Sequence, residues 1–189
     1  MQIIAVRHGE TNENLAGIVQ GQLYGTLSDT GLKQIVALAE TLATETFDVC
    51  YCSDLERTRQ TCDAIIMHHP RLKTVYDDRL RERSMKPLEG RYFADIIGWD
   101  WNNDKLLDHS TPEGETWADV INRVAAALND MFASHPSERV LVVSHGGPMR
   151  AMRALLVGEP WETAGRTMIE NCEVNRWEML APVSAANVR

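Results

Sequence analysis

The chain has 189 residues, 44% of them hydrophobic, and a formal net charge of -8. That length and apolar share suffice for one large core, so a single domain over residues 1-189 is expected. No stretch is long and apolar enough to span a bilayer and the N-terminus lacks signal-peptide features, so a soluble, cytoplasmic protein is expected, while the acidic balance argues against nucleic acid or an anionic membrane as partner.

The four cysteines, Cys50, Cys52, Cys62 and Cys172, fall inside apolar patterns without paired C-x-x-C spacing. They read as small core residues rather than disulfides or zinc ligands. In chain order, the apolar run Ile3 to Val6 stops at Arg7-His8-Gly9, which predicts a buried strand followed by a sharp turn. In open parallel sheets ligands bind beyond the carboxyl ends of strands. Arg7 and His8 therefore stand where an anion could be held beside a nucleophile, although an arginine paired at the surface and a satisfied turn histidine explain the tetrapeptide equally well. Residues 13-22 read as a polar, glycine-punctuated loop. Leu32, Ile35, Val36, Ala39, Leu42 and Ala43 predict an amphipathic helix, with Ser28, Asp29 and Thr30 as candidate N-caps.

Val49 to Cys52 predicts a second buried strand, capped by Ser53-Asp54 into a helix with Leu55, Thr58, Cys62, Ile65 and Ile66 inward. Arg57 and Arg59 fall in its first turn, where cations run against the helix dipole unless they serve an anion. Leu72 to Tyr76 reads as a third strand. Glu82, between Arg81 and Arg83, reads on its own as part of a surface charge cluster. Residues 91-115, with Trp99 and Trp101 amid aspartates that lack metal-ligand spacing, predict a helix-and-loop insertion at the rim. Thr116 and Asp119 form a capping-box signature for a helix burying Trp117, Val120, Ile121, Val124, Leu128, Met131 and Phe132. Val140 to Val143 is the cleanest buried strand, and it ends in Ser144-His145-Gly146-Gly147 before a helix from Pro148 to Val157. The segment beyond Pro182 shows no pattern and is expected to be loose.

Apolar strands alternating with amphipathic helices predict an α/β fold with a mostly parallel sheet, and parallel strands bring both His-Gly turns to one edge. Arg7, His8, Arg57 and His145 then share one crevice, where guanidinium groups can neutralise a phosphoryl group while an imidazole attacks phosphorus. Here the sequence closely resembles the histidine phosphatase (phosphoglycerate mutase-like) superfamily, whose fold is a three-layer α/β/α sandwich. The matching motifs are Arg7-His8-Gly9-Glu10-Thr11 with Asn14 and Gln20-Gly21, Ser53-Asp54-Leu55-Glu56-Arg57-Thr58-Arg59-Gln60-Thr61, Leu80-Arg81-Glu82-Arg83, Pro112-Glu113-Gly114-Glu115-Thr116, and Val143-Ser144-His145-Gly146. They span essentially the whole chain.

The resemblance implies that His8 is the nucleophile and passes through a phosphohistidine, with Arg7, Arg57 and His145 holding the phosphoryl group. It implies Glu82 as general acid, then general base. Asn14, Gln20 and Gly21, with Arg59, Arg83 and Gly146, would complete the substrate pocket, and the chemistry would need neither metal nor cofactor. The sequence departs from the pattern after Glu82, where many relatives carry an aromatic residue and a glycine. Here Met85 and Lys86 precede Pro87, which predicts an extended lip turning an ammonium toward the mouth.

The phosphatase branch is the nearer resemblance. The stretch from Ile96 to Ser110 has Lys105 as its only lysine or arginine, whereas mutases of the family add basic residues there. The function expected is a phosphomonoesterase acting on small phosphorylated metabolites or sugars. A phosphoglycerate mutase-type transferase stands as the alternative, and a non-catalytic phosphate-binding module stands behind both. The expected partner is a small phosphorylated substrate, and a homodimer is left open.

Overall fold

A computed structural model describes residues 1–96 and 113–188. Its strands are β1 (Gln2–Arg7), β2 (Val49–Cys52), β3 (Lys73–Tyr76), β4 (Arg139–Ser144) and β5 (Val174–Glu178), and its helices are α1 (Asn12–Ala16), α2 (Asp29–Leu42), α3 (Glu56–Ile66), α4 (Trp117–Ser134), α5 (Gly146–Val157) and α6 (Trp161–Ala164). The strands form one sheet in the order β3-β2-β4-β1-β5. Four run parallel, and β5 pairs antiparallel along the free edge of β1. The two purely apolar runs, Ile3–Val6 and Val140–Val143, are the central neighbours and are no more than 2% exposed. Strands buried on both faces need apolar residues at successive positions, which is why these runs show no alternation.

Alternate side chains of the same strands feed two different cores. Ile3, Ala5, Val140 and Val142 pack with residues of α4 and α5, whereas Ile4, Val6, Leu141 and Val143 pack with Leu38 and Leu42 of α2 and Cys62 and Ile65 of α3. The result is the expected three-layer α/β/α arrangement, with Cys50, Cys52 and Cys62 as buried free thiols and Cys172 half-buried.

Several local expectations are corrected. Residues 12–16 form α1 rather than loop, because Thr11 and Asn14 make a reciprocal capping box. In α2, Leu32 and Val36 are 49% and 55% exposed, and the buried stripe is instead Gly31, Ile35, Leu38, Ala39 and Leu42. Gly31 sets that rotation, since a Cβ there would lie 2.0 Å from the carbonyl oxygen of Glu10. Helix α3 is capped at Leu55 without a side-chain bond, and Ser53 is used elsewhere. The lip at Lys86 is a turn and not extended, with a cis Lys86–Pro87 bond. The Glu89 carboxylate gathers it by accepting from Met85 N at 2.9 Å and Gln22 N at 3.1 Å. Of the rim insertion, residues 91–96 contribute a bridge between Ile18 and Tyr92 and a turn of 3-10 helix at Phe93–Asp95. Trp99, Trp101 and the rest of the acidic stretch to Ser110 lie outside the described residues. Among the described residues no helix is long and apolar enough to cross a membrane.

The segment after Pro182 is docked, contrary to expectation. Asn129 of α4 donates to Val183 O at 2.9 Å and accepts from Val183 N at 2.8 Å, and Val183, Ala185 and Val188 pack on the α4 core. A side-chain amide mimicking a strand neighbour leaves no hydrophobic signature, so the sequence pattern does not reveal it. Asn129→Ala should cost about 1–3 kcal/mol by orphaning both Val183 groups. It should also raise amide exchange at Val183 selectively, and unchanged exchange there would show that the apolar contacts alone hold the segment.

Candidate active site

The sheet places the site. Arg7 of β1 is in register with Ser144 of β4, and Ser53 at the end of β2 donates its N–H to Val143 O at 2.9 Å. Three adjacent strands therefore end in one layer, and His8, Ser53 and His145 emerge from it together. His8 and His145 are 3% and 0% exposed, and their rings meet edge to face with centroids 5.1 Å apart.

The hydrogen bonds of His8 settle its tautomer. A carbonyl can only accept, so the 2.7 Å contact to Gly9 O makes Nδ1 the protonated nitrogen. The lone pair is left on Nε2, toward which Arg57 Nε donates at 3.3 Å. Burial, together with the Arg57 and Arg7 guanidinium groups, holds the His8 imidazole well below its ordinary pKa. His145 is held low in the same way, by burial first and then by Arg57 and His8. Both rings are neutral at physiological pH.

Arg57 is 1% exposed, and burial lowers its pKa to about 10. Its terminal nitrogens donate to Gly21 O at 2.8 Å and Leu23 O at 2.9 Å, so the guanidinium ties the loop after α1 to the base of α3. Arg7 bonds Ile169 O through Nη1, while its buried Nε has no partner among the described residues. Glu82 sits across from them. Its carboxylate accepts from Arg83 N at 2.8 Å and Gly147 N at 3.2 Å, at the N-terminal turn of α5. Gly147 is required by this approach, since a Cβ there would lie 2.1 Å from Glu82 Oε1. Arg123 braces the Glu82 segment from α4, donating to Glu82 O at 3.2 Å and Arg79 O at 2.6 Å.

The structure thus brings Arg7, His8, Arg57, Glu82, His145 and Gly146 together. It treats the other predicted residues differently. Gln20 is buried and bonds Thr11 Oγ1, and Gly21 contributes its carbonyl to Arg57. Arg83 is 3% exposed, stacked 4.5 Å over the Trp117 ring, with a buried Nη1 that has no partner among the described residues. Asn14 is exposed and spends its side chain capping α1. Arg59 lies 4.1 Å over the Tyr76 ring and bonds Asp54 O, away from the histidine cluster. Sequence reasoning missed the working roles of Thr61, whose hydroxyl accepts from Gly9 N at 3.1 Å, and of Gly147 and Arg123. It also miscast Ser53 as a cap. Among the described residues no three His, Cys, Asp or Glu side chains converge into a metal-binding group.

Two neutral imidazoles lie beside two guanidinium groups and are faced by a carboxylate. Residues 3–181 match the histidine phosphatase superfamily (branch 1), and the chain belongs to that family. A relative named probable phosphoglycerate mutase GpmB, from Proteus mirabilis, is 34% identical over 181 residues, covering 93% of this chain and 84% of the relative. Among solved structures, mycobacterial glucosyl-3-phosphoglycerate phosphatase in complex with VO3 superposes with a TM-score of 0.82 at 27% identity, covering 93% of this chain and 90% of that one. An Escherichia coli K-12 protein described as a putative alpha-ribazole-5'-P phosphatase gives 0.82 at 26% identity, covering 93% and 89%.

The lowered histidines make stability depend on pH with a definite sign. Below the ordinary histidine value of about 6.5 the unfolded chain takes up protons that folded His8 and His145 refuse, so stability falls as pH falls. The loss should approach about 1.4 kcal/mol per histidine per pH unit across the window down to the folded values. Asp54, held low by its bond to Arg81, enters only at more acid pH. Urea midpoints measured from about pH 7 to about pH 5.5 should show this slope. His8→Gln with His145→Gln should flatten it, and an unchanged slope would assign the loss to other groups.

Proposed function

We propose that this protein is a phosphomonoesterase of the superfamily, one domain acting in the cytoplasm on small phosphorylated metabolites or sugars through a phosphohistidine on His8. The observation that carries this reading is the Nδ1 bond of His8 to Gly9 O, which leaves the Nε2 lone pair facing Arg57 in a buried, positively lined pocket. In the first half-reaction Nε2 bonds to phosphorus as the ester P–O bond breaks, and Glu82 gives its proton to the departing oxygen. In the second, Glu82 takes a proton from water, whose oxygen attacks phosphorus and releases phosphate as the N–P bond breaks. Arg7, Arg57 and the His145 ring supply donors to the phosphoryl oxygens throughout. The free buried thiols support a reducing compartment.

Hydrolysis is favoured over transfer by the acidic stretch from Ile96 to Ser110, which offers one lysine and no arginine to hold a second anionic group of a bound phosphoglycerate. The named phosphatases among the solved structures support the same choice. The curated relatives named as probable mutases favour a second reading, in which the phosphoryl group returns to a bound phosphoglycerate. Incubation with 3-phosphoglycerate separates them, since a phosphatase liberates inorganic phosphate and a mutase yields the isomer.

His8→Ala should abolish turnover of p-nitrophenyl phosphate and the acid-labile phosphoenzyme together. Retention of most of the activity would mean a different nucleophile.

Glu82→Gln tests the acid. Turnover of a sugar phosphate should fall by roughly 10²–10⁴-fold. With p-nitrophenyl phosphate, whose leaving group needs little protonation, a stoichiometric burst of nitrophenol should precede a slow steady state. Equal loss on both substrates without a burst would reduce Glu82 to a positioning role.

A further inference from the structure

Ser53 is fully buried, and its hydroxyl lies 2.8 Å from His145 Nε2. The residue is fixed on both sides by the backbone. Its N–H donates to Val143 O at 2.9 Å, and its carbonyl accepts the Thr58 hydroxyl at 2.9 Å. What else the hydroxyl touches favours one direction for the proton in the Ser53–His145 bond. Leu55 N donates to Ser53 Oγ at 3.4 Å, so that contact occupies a lone pair. Among the described residues, the acceptor within reach of the hydroxyl hydrogen is His145 Nε2. The other ring nitrogen, Nδ1, is buried without a partner among the described residues.

We propose that Ser53 is a positioning residue that fixes His145 as a neutral imidazole with its proton on Nδ1, making the ring an uncharged donor to a phosphoryl oxygen. This rests on the reading of the pocket as a phosphoryl site. A neutral ring that accepts through Nε2 must carry its proton on Nδ1, the nitrogen that no group among the described residues satisfies. The surroundings agree, because the charged groups acting on the ring are Arg57 from α3, Arg7 from β1 and Arg123 from α4, with His8 also opposing a charge there. The Glu82 carboxylate is held nearby by Gly147 N. A neutral donor adds a hydrogen bond to the phosphoryl group without a third full positive charge beside Arg7 and Arg57. Without Ser53 the proton can move to Nε2, and Nδ1 then turns a lone pair toward an anionic oxygen.

The test uses the intact protein in two measurements. Long-range ¹H–¹⁵N correlation of the imidazoles near neutral pH reads the tautomer directly, with His145→Gln identifying the signal. The expected result is Nδ1–H on His145 in the unsubstituted protein, a shift toward Nε2–H in Ser53→Ala, and return to Nδ1–H in Ser53→Thr, which keeps the hydroxyl. Titration with inorganic phosphate should show Kd raised about tenfold or more in Ser53→Ala, equivalent to about 1.4 kcal/mol or more, and restored in Ser53→Thr. Should the variants fail to fold, the tautomer of the unsubstituted protein still decides. An imidazolium, or a proton on Nε2, would overturn the Ser53 assignment. So would a Ser53→Ala protein with unchanged tautomer and phosphate affinity. Failure of the unsubstituted protein to bind phosphate would instead overturn the reading of the pocket, and with it the purpose given to this donor.

Discussion

Arg57 carries a full positive charge at a position where 1% of its surface meets solvent, beside an imidazole kept neutral, and much of the site is arranged around that burial. Removing a guanidinium from water costs several kcal/mol unless its donors are satisfied. Among the described residues Arg57 makes no ion pair, and backbone carbonyls of Gly21 and Leu23 take its terminal nitrogens instead. Carbonyls satisfy the hydrogen bonds without cancelling the charge. The pocket therefore keeps buried positive charge in a low-dielectric setting, the condition under which the proposed phosphoryl group would be held strongly. Burial first, and then the same guanidinium charge, depresses both histidines, so on the proposed reading the charge that would hold the phosphoryl group also helps keep His8 Nε2 unprotonated.

The fold was legible where burial is two-sided and uninterrupted. Ile3–Val6 and Val140–Val143 sit at the sheet centre, and such runs fit little else at that length. The antiparallel edge strand β5 was not legible. Its alternation of half-buried and exposed residues carries two charged side chains, and its pairing with β1 is decided by a free edge far away in sequence. The stripe of α2 was misread for a related reason. Leu32 and Val36 are as apolar as their neighbours, but Gly31, which has no room for a Cβ beside the Glu10 carbonyl, shares the inward face with Ile35, Leu38 and Leu42 and leaves them outward.

The site divides in the same way. Arg7, His8 and His145 were legible because a buried strand followed by His-Gly leaves few places for those side chains to go. Arg57 was legible because two arginines in a first turn oppose the helix dipole, although the structure uses one of the two on the Tyr76 ring. Glu82 could be reached only through resemblance, since its carboxylate is drawn to backbone N–H groups of Arg83 and Gly147, which no side-chain pattern announces. Residues acting through backbone groups, such as Thr61 on Gly9 N and Arg123 on Glu82 O, stayed hidden for the same reason.

The in-register ends of β1, β4 and β2 carry a consequence for how such a site can change. Neighbouring strands are held about 4.8 Å apart by their ladder hydrogen bonds, and the two imidazole centroids stand 5.1 Å apart on adjacent strands. The spacing of the two rings is thus close to a unit of backbone periodicity. On the proposed reading, loops around the mouth could be lengthened, recharged or rebuilt for different leaving alcohols without resetting that gauge. The sheet sets the distance between the rings, and the turns around them stand outside that constraint.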